Sequence, residues 1–414
     1  MKSKLLRTIS LVLTLCLVVT LGLGCGNGEE PGPTPGPEKV TIVIGDLTDF
    51  TGPGSPSLKP ISWALADYAD YINQNELIPG VELKIVAYDT KYDTSRFSPG
   101  YEWLREEGAQ VIFTAPPYVA QTLKARSEAD ETPIVCLTAV ESLLTDPAWV
   151  FCMNNLSYDM HYDFLEWIAE NDWDYNNGIP KIGMVGYDMS PNPDQAAALE
   201  DYCTAHPDKF DLVGITLVPY GTVTWSAEVN MLKDCDYVDV GPIGAVMPTT
   251  FIDQYRSAGY TGRVIGSDSL AAYQGAVVGK VGWTDVDGTL TTHGWGWWTL
   301  DAPEMELVTE LLFTNHPSEA YDIRRAGVGG AGGGLQTHFF LQLVKAVIEE
   351  VGAENFDGPS FYEAAQNTTV SIEGCGQLSY VGGDRGGRHE YNIWRWSAEA
   401  EDLVLASDGW LRTD

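Results

Sequence analysis

A strand, an exposed loop and a helix follow one another in residues 39–73, and this order most constrains the fold. Val40, Ile42 and Ile44 alternate with other side chains, as in a buried strand. A loop rich in Gly, Pro and Ser follows over residues 48–57, and apolar side chains then recur at helical spacing. Such a unit opens a parallel α/β domain, in which ligands bind beyond the carboxyl ends of the strands. We therefore expect this loop to contact a ligand.

Strand and helix patterns alternate along the rest of the chain in two series. The predicted strands are residues 40–44, 81–88, 110–114, 134–137, 181–187, 212–218, 237–240 and 264–266. The predicted helices include residues 120–129, 160–170, 194–203, 228–233, 251–258 and 335–351. Two such series predict two lobes, each with a parallel sheet and right-handed crossovers. We also predict a β-hairpin over residues 378–396 that turns at residues 382–387.

The N-terminus has the pattern of an export signal. Three basic residues precede an uncharged run at residues 9–23, which is too short for a comfortable membrane span. Small residues around Cys25 resemble a bacterial lipobox, so residues 1–25 are predicted to be a lipoprotein signal peptide with Cys25 as the lipidated residue. The alternative is a conventional signal peptide that is cut nearby, with Cys25 incidental.

Residues 26–38 (GNGEEPGPTPGPE) predict a disordered tether, because none of them could pack in a core. A coil of this length spans roughly 20 Å, which would hold the folded body just off a membrane. No second long apolar run follows in the sequence. We therefore expect a location in the cell envelope, on the outer face of the cytoplasmic membrane or in the periplasm, with the lipid anchor as the only membrane attachment.

The chain is strongly acidic, with 24 Lys and Arg against 58 Asp and Glu and a formal net charge of −34. Charge of this sign argues against binding to nucleic acid and against direct adhesion to anionic lipid. Beyond the signal the chain has five cysteines and no CxxC motif, so neither a zinc ribbon nor a redox dithiol is indicated. Cys136 and Cys152 could form a disulfide or stay as buried free thiols.

Motifs for catalysis or for cofactor binding are absent from the sequence. The histidines show no HExxH spacing, and there is no GxSxG elbow. Residues 327–332 (GVGGAG) match GxGxxG literally, but they follow two arginines rather than a strand, so a loop before a helix is the better interpretation. The sequence therefore predicts a protein that is not an enzyme and that has neither a metal nor a cofactor.

Several short motifs occur in a characteristic order along the chain: Thr51-Gly52-Pro53, Tyr88-Asp89, Tyr187-Asp188, Gly221-Thr222 and Gly266-Ser267-Asp268. Their order and spacing resemble the branched-chain amino-acid (Leu/Ile/Val) binding family, solute-binding proteins of ABC importers with the type I periplasmic binding fold. The resemblance extends from residue 39 to about residue 396. It implies two α/β lobes joined by three hinge crossovers, with the ligand between them. Lobe 1 would comprise residues 39–153 and 292–367, and lobe 2 residues 154–291 and 368–414.

The resemblance also assigns candidate ligand contacts. In that family, hydroxyls and backbone N–H groups of the first lobe hold the ligand's carboxylate, and an acidic residue of the second lobe holds its ammonium. Thr138 and Ala139 fall in the carboxylate loop, and Asp268 falls at the acidic position, although it could instead be the N-cap of the next helix. Val140 replaces an expected Thr, and Asn192 an expected Tyr. We therefore predict that the ligand is not a plain branched-chain amino acid.

Aromatic residues supply the other candidate contacts. Phe50 and Tyr118 each follow a predicted strand, and an aromatic residue there forms either a pocket wall or loop packing. Trp295 shares one face of an extended segment with Trp297, which fits core or hinge packing or stacking on a ligand. If these residues line the pocket, they favour a larger, partly apolar or aromatic ligand such as an aromatic acid, an amide or a modified amino acid.

The resemblance implies an exported solute-binding lipoprotein. It would deliver a small organic ligand, amino-acid-like or partly apolar or aromatic, to an ABC permease by lobe closure. We predict a monomer whose partners are the ligand and the permease subunits. A ligand-sensing module of the same fold, acting on a receptor rather than on a permease, is the alternative.

Overall fold

The strands form two principal sheets in the computed structural model, which describes residues 39–146, 149–241 and 243–413. The strands are β1 (Val40–Thr48), β2 (Val81–Asp89), β3 (Val111–Thr114), β4 (Ile134–Cys136), β5 (Val150–Cys152), β6 (Lys181–Tyr187), β7 (Asp211–Val218), β8 (Tyr237–Gly241), β9 (Arg263–Gly266), β10 (Leu290–His293), β11 (Thr369–Ile372), β12 (Gly376–Ser379), β13 (Glu390–Ser397), β14 (Asp402–Leu405) and β15 (Leu411–Arg412).

Helices connect the strands and cover both sheets. The α-helices are α1 (Ser55–Gln74), α2 (Phe97–Glu106), α3 (Pro117–Ala129), α4 (Glu141–Leu144), α5 (Ser157–Asn171), α6 (Asn192–Ala205), α7 (Ser226–Met231), α8 (Val246–Ser257), α9 (Asp268–Ala271), α10 (Gln274–Val281), α11 (Trp283–Val286), α12 (Pro303–Asn315), α13 (Ala320–Arg325), α14 (Ala331–Val351) and α15 (Gly358–Ala365). Short 3-10 helices lie at Thr94–Arg96, Tyr175–Asn177, Pro317–Glu319, Gly327–Gly329 and Ala353–Asn355.

The first sheet is parallel throughout and has the order β2-β1-β3-β4-β5. Both of its faces are covered. On β1, Ile42 and Ile44 belong to the core that includes α1 and α14, whereas Leu47 packs with Leu104 of α2 on the opposite face. A strand that is buried on both faces needs apolar residues on both, which explains the nearly continuous apolar run of β1.

The second sheet is mixed and has the order β14-β13-β10-β9-β8-β6-β7, with β15 beside β13. Strands β6 to β10 pair in parallel, and β13 joins them antiparallel to β10. The two sheets confirm the predicted α/β fold, but the second sheet is not wholly parallel as predicted, because β13 and β14 extend it in antiparallel orientation. The strand predicted at residues 181–187 has the same bounds as β6.

The predicted hairpin over residues 378–396 is wrong. Strand β12 pairs with β11, and β13 lies between β10 and β14. The reason is that β13 buries both faces: Tyr391 and Ile393 pack into one core, whereas Trp394 and Trp396 pack into another. A strand with two apolar faces is stabilised inside a sheet rather than in a two-stranded hairpin.

Helix α1 begins at Ser55, earlier than the sequence pattern indicated, so the loop after β1 is shorter than predicted. Pro56 lies in the first turn, where its missing N–H costs no hydrogen bond. The later helices α12 and α14 pack against α1, so the chain returns to the first sheet after β10. The residue boundaries of the two lobes stay a prediction.

The five cysteines of the described region are buried free thiols. Cys136 and Cys152 are directly opposite each other on β4 and β5, but no disulfide joins them. Burial raises the pKa of Cys136 to about 12, so this thiol stays protonated and unreactive at neutral pH. The predicted signal, the tether and Cys25 lie outside the described residues. Among the helices that are described, none is long and apolar enough to cross a membrane.

Candidate ligand site between the two sheets

A cavity of about 110 Å³ lies where loops of the first sheet meet loops of the second. The segments after β3 and β4 contribute Tyr118 and Thr138, and those after β6, β8 and β9 contribute Pro191, Ile243 and Asp268. One water molecule needs only about 10 to 15 Å³ by the same kind of measure. The cavity therefore has room for a small organic molecule, at the position where open α/β sheets bind ligands.

Two prolines place Tyr118 in the cavity wall. Pro116 has an extended backbone, and Pro117 begins α3, so the chain turns sharply from β3 into the helix. Tyr118 is 9% exposed, and its hydroxyl lies beside the hydroxyl of Tyr92 in the cavity wall. Burial raises the pKa of Tyr118, so the hydroxyl remains a donor.

Asp268 follows β9 and lies in the first turn of α9. The alternative interpretation as the N-cap is wrong, because Ser267 occupies that position and α9 has no side-chain cap. Instead, Asp268 Oδ2 accepts a hydrogen bond of 2.7 Å from Asn154 Nδ2. Burial raises the pKa of Asp268, and the hydrogen bonds from Asn154 and from the Ser269 backbone partly offset that rise.

Tyrosines from both sheets form one wall of the cavity. Tyr92 and Tyr118 come from loops of the first sheet, and their ring centroids lie 5.2 Å apart in an edge-to-face arrangement. Tyr273 comes from the segment after α9 of the second sheet and lines the same cavity. Tyr220, from the loop after β7, stacks on Tyr92 with centroids 6.1 Å apart. This tyrosine wall therefore joins loops of the two sheets.

Direct hydrogen bonds also connect the two sides of the cavity. Gln121 Nε2 of α3 donates to Ser190 Oγ, after β6, at 3.1 Å. The backbone N–H of Glu141 donates to Asp194 Oδ2 at 3.1 Å. The loops of the two sheets are therefore in contact around the cavity, as they are when a two-lobed protein is closed on its ligand.

A glycine-rich segment completes the wall. Gly329 and Gly333 both line the cavity; Gly329 belongs to the stretch that matched GxGxxG, and Gly333 follows that stretch directly. A Cβ on Gly329 would overlap the Ser57 hydroxyl, and one on Gly333 would lie 2.5 Å from Ile61 Cγ1. These glycines therefore allow the 3-10 helix Gly327–Gly329 and α14 to pack closely against α1, which is a structural role and not nucleotide binding.

Three of the predicted contact residues line the cavity, namely Tyr118, Thr138 and Asp268. Phe50 does not; it lines an adjoining groove together with Trp63 of α1. Trp295 is buried outside the cavity, and its Nε1 donates to the Met153 carbonyl at 2.7 Å.

Ala139, Val140 and Asn192 are buried and serve structural contacts. The Ala139 carbonyl accepts from Ser157, and Val140 packs in the core beside α2 and α3. Asn192 Nδ2 donates to the carbonyls of Tyr187 and Gly241, so it links the ends of β6 and β8. None of the three is among the residues that line the cavity.

The sequence analysis missed several residues of the cavity: Tyr92, Asn154, Tyr273 and Gln336. Tyr92 follows β2 and Tyr273 follows β9, so an aromatic residue soon after a predicted strand was the available signal. Gln336 donates to the carbonyls of Leu137 and Met153, which precede it by 199 and 183 residues. No local sequence pattern indicates contacts over such a separation. Within the described ranges, no group of three or more His, Cys, Asp or Glu is placed to hold a metal ion.

Comparison with known proteins identifies the class to which this fold and cavity belong. Over residues 41–401 the chain matches the periplasmic binding protein family, and it belongs to that family. Proteins of this family bind solutes outside the cytoplasm and are not enzymes, as the sequence predicted. A search of curated proteins found no match.

Three solved structures illustrate the similarity. A branched-chain amino-acid ABC transporter protein from Thermus thermophilus with bound valine has a TM-score of 0.75 at 16% identity, covering 90% of this chain and 97% of that one. A fatty acid ABC transporter substrate-binding protein from Thermomonospora curvata has a TM-score of 0.73 at 16% identity, with coverage of 89% and 92%. A solute-binding protein from R. palustris in complex with benzoate has a TM-score of 0.71 at 15% identity, with coverage of 90% and 97%. At these identities the similarity establishes the fold.

Proposed function

We propose that this protein is the extracytoplasmic solute-binding component of an ABC importer and holds a small organic ligand in the cavity between the sheets. The observation that carries the proposal is the cavity itself, because both sheets contribute to it at the carboxyl ends of their strands. The ligand is amino-acid-like, or partly apolar or aromatic. Valine, benzoate and a fatty acid in the names of structurally similar proteins are consistent with that range.

Capture works by lobe closure. A ligand that contacts Tyr118 on one side and Asp268 on the other binds the closed state more tightly than the open state, and this difference shifts the equilibrium toward closure. The permease then distinguishes the loaded protein from the empty one by its shape. The protein acts as a monomer in this scheme, since both halves of the cavity come from one chain.

Closure predicts a change that can be measured on the purified protein. The bound small molecule is first released by denaturation and identified by mass spectrometry, and the protein is refolded without it. Adding the molecule back is expected to raise the melting temperature by mass action and to reduce the radius of gyration in small-angle scattering. Failure of any small molecule to copurify, to stabilise or to compact the protein would contradict the proposed function.

A lipid on Cys25 is the proposed anchor, supported by the lipobox-like sequence and by the Pro- and Gly-rich tether after it. Cys25→Ser is expected to move the protein from the membrane fraction to the soluble envelope fraction without changing its melting temperature. Immunoblotting of fractionated cells measures the distribution, and the parent protein is the control. A parent protein that is already fully soluble would contradict lipidation.

A further inference from the structure

The cavity between the sheets carries negative charge only. Among the described residues that line it, Asp268 is the one charged side chain, and none is a lysine, an arginine or a histidine. The other polar contributors are neutral, namely hydroxyls such as those of Ser57 and Thr138 and the amides of Asn154 and Gln336. The Asp268 carboxylate is therefore the one charged group that these residues offer to a bound ligand.

Asp268 has no cationic partner inside the described part of the protein. Its side chain accepts from the neutral Asn154 amide, and no basic group is among the neighbours that shift its pKa. A buried carboxylate without a counter-ion is unfavourable, and a cation that enters the cavity removes that penalty. The buried carboxylate of Asp172, in contrast to that of Asp268, has a cationic partner, because Arg395 lies 3.0 Å from it.

The tyrosine wall also favours a cationic ligand over an anionic one. Tyr92, Tyr118 and Tyr273 all line the cavity, and the faces of aromatic rings attract organic cations within about 6 Å. Asp49, whose carboxylate is held by the N–H groups of Gly52 and Gly54, contributes further negative potential near these tyrosines. Aromatic walls beside a carboxylate are a typical environment for an amine or a quaternary ammonium.

The charge of the whole protein acts in the same direction. A formal net charge of −34 attracts cations toward the cleft and repels anions, and the effect falls with ionic strength. The same field and the Asp268 carboxylate repel a ligand that carries a carboxylate. Anionic aromatic acids are therefore the least favoured of the ligands considered above.

We propose that the ligand is an organic cation, an amine or a quaternary ammonium with an apolar body and no carboxylate, whose charged group lies between Asp268 and the tyrosine wall. This inference rests on the proposed solute-binding function and makes its ligand class specific. It separates this cavity from one that is built for a zwitterionic amino acid, because Pro116 and Pro117 after β3 have no backbone N–H and Val140 has no hydroxyl to donate to a carboxylate.

A charge-matched series tests the inference on the full chain. Phenethylamine, phenethyltrimethylammonium, phenylalanine, phenylpropionate and phenethyl alcohol share one aromatic body and differ in charge, and choline supplies a smaller cation. Each is titrated against the protein in thermal-shift and calorimetric measurements at low and high salt. We expect at least one cation to bind about tenfold or more tightly than the zwitterion and the anion, and less tightly at high salt.

Two variants distinguish a binding role for Asp268 from a structural one. Asp268→Asn should weaken binding of the best cation about tenfold or more and change binding of the neutral alcohol little, because only a charged ligand loses a charge-assisted contact. A purely structural role would weaken both alike. Asp188→Asn is the control, since this aspartate follows β6, is exposed and does not line the cavity.

The outcomes separate this inference from the proposed function. If phenylalanine or phenylpropionate binds more tightly than every cation, or if the copurified molecule is anionic or zwitterionic, the inference is overturned while solute binding stands. If no cation raises the melting temperature, the inference is overturned as well. If no molecule of any charge binds or copurifies, the proposed function fails too.

Discussion

Arg388→Met is expected to lower the free energy of unfolding by about 3 to 5 kcal/mol, because it removes the buried cationic partner of Glu390, whose carboxylate lies 3.3 Å from the Arg388 guanidinium. The Arg388 side chain is completely buried, and its guanidinium lies between the rings of Trp295 and Trp410, 4.4 and 4.7 Å from their centroids. It donates to the carbonyls of Gly294 and Gln377. Methionine fills a similar volume but leaves those carbonyls without a donor.

The position of Arg388 makes it a contact between the segments that connect the two sheets. Trp295, which stacks on it, donates to the Met153 carbonyl, and Asn155 Nδ2 donates to the Glu390 carbonyl at 2.8 Å. The chain segments near residues 154, 294 and 389 therefore meet around one guanidinium. A planar, five-donor group suits this place, so Arg388→Lys should also be destabilising although it keeps the charge.

Urea denaturation followed by fluorescence measures the effect of Arg388→Met. Arg126→Met is the matched control, because Arg126 forms an exposed ion pair with Asp130 at 2.7 Å, and such pairs contribute about 1 kcal/mol or less. Equal, small losses for the two variants would show that Arg388 does not hold these segments together.

Gly294→Ala is expected to cost about 2.5 to 6 kcal/mol of stability and to weaken ligand binding. A Cβ at this position would overlap Asn154 Oδ1, so the Asn154 side chain must move. Its amide then no longer donates to Asp268, and a charge-assisted hydrogen bond of about 1.5 to 3 kcal/mol is lost in addition to the overpacking of about 1 to 3 kcal/mol. Glycine is therefore required at position 294 because the Asn154 side chain lies too close to leave room for a Cβ, and not because of an unusual backbone angle.

A second-site variant tests that explanation of Gly294→Ala. In the double variant Gly294→Ala, Asn154→Ala the clash is absent, so stability should recover toward that of Asn154→Ala alone, while ligand affinity stays low because Asp268 lacks its donor. Thermal unfolding and ligand titration of the three variants measure both quantities. A double variant as unstable as the sum of the two single changes would contradict a clash with Asn154.

Local pattern was sufficient for most of the architecture. The apolar residues of β1 and β6 are visible in a short window of the sequence, and both strands occur where predicted, although β1 continues through Gly45 and Asp46 to Thr48. The position of β13 was not predictable in this way. Its apolar residues are visible, but only the distant strands β10 and β14 decide that both of its faces are buried.

The ligand site was predictable to the extent that it depends on strand ends. Asp268 and Tyr118 follow β9 and β3 directly, so topology alone brings them to one cavity. Val140 and Asn192 also follow strands, yet their side chains point into cores, since Val140 packs beside α3 and Asn192 bonds the carbonyls that end β6 and β8. Side-chain direction in a loop depends on such distant contacts, and local spacing does not carry that information.

Small-angle scattering with the released ligand tests the central claim most directly, because binding between two lobes must change the distribution of mass. Calorimetry first establishes that the molecule released from the protein rebinds to the ligand-free form. The account predicts a smaller radius of gyration after rebinding in the parent protein and in the exposed control Asp188→Asn. Tight rebinding with an unchanged radius of gyration would contradict capture by closure of the two lobes.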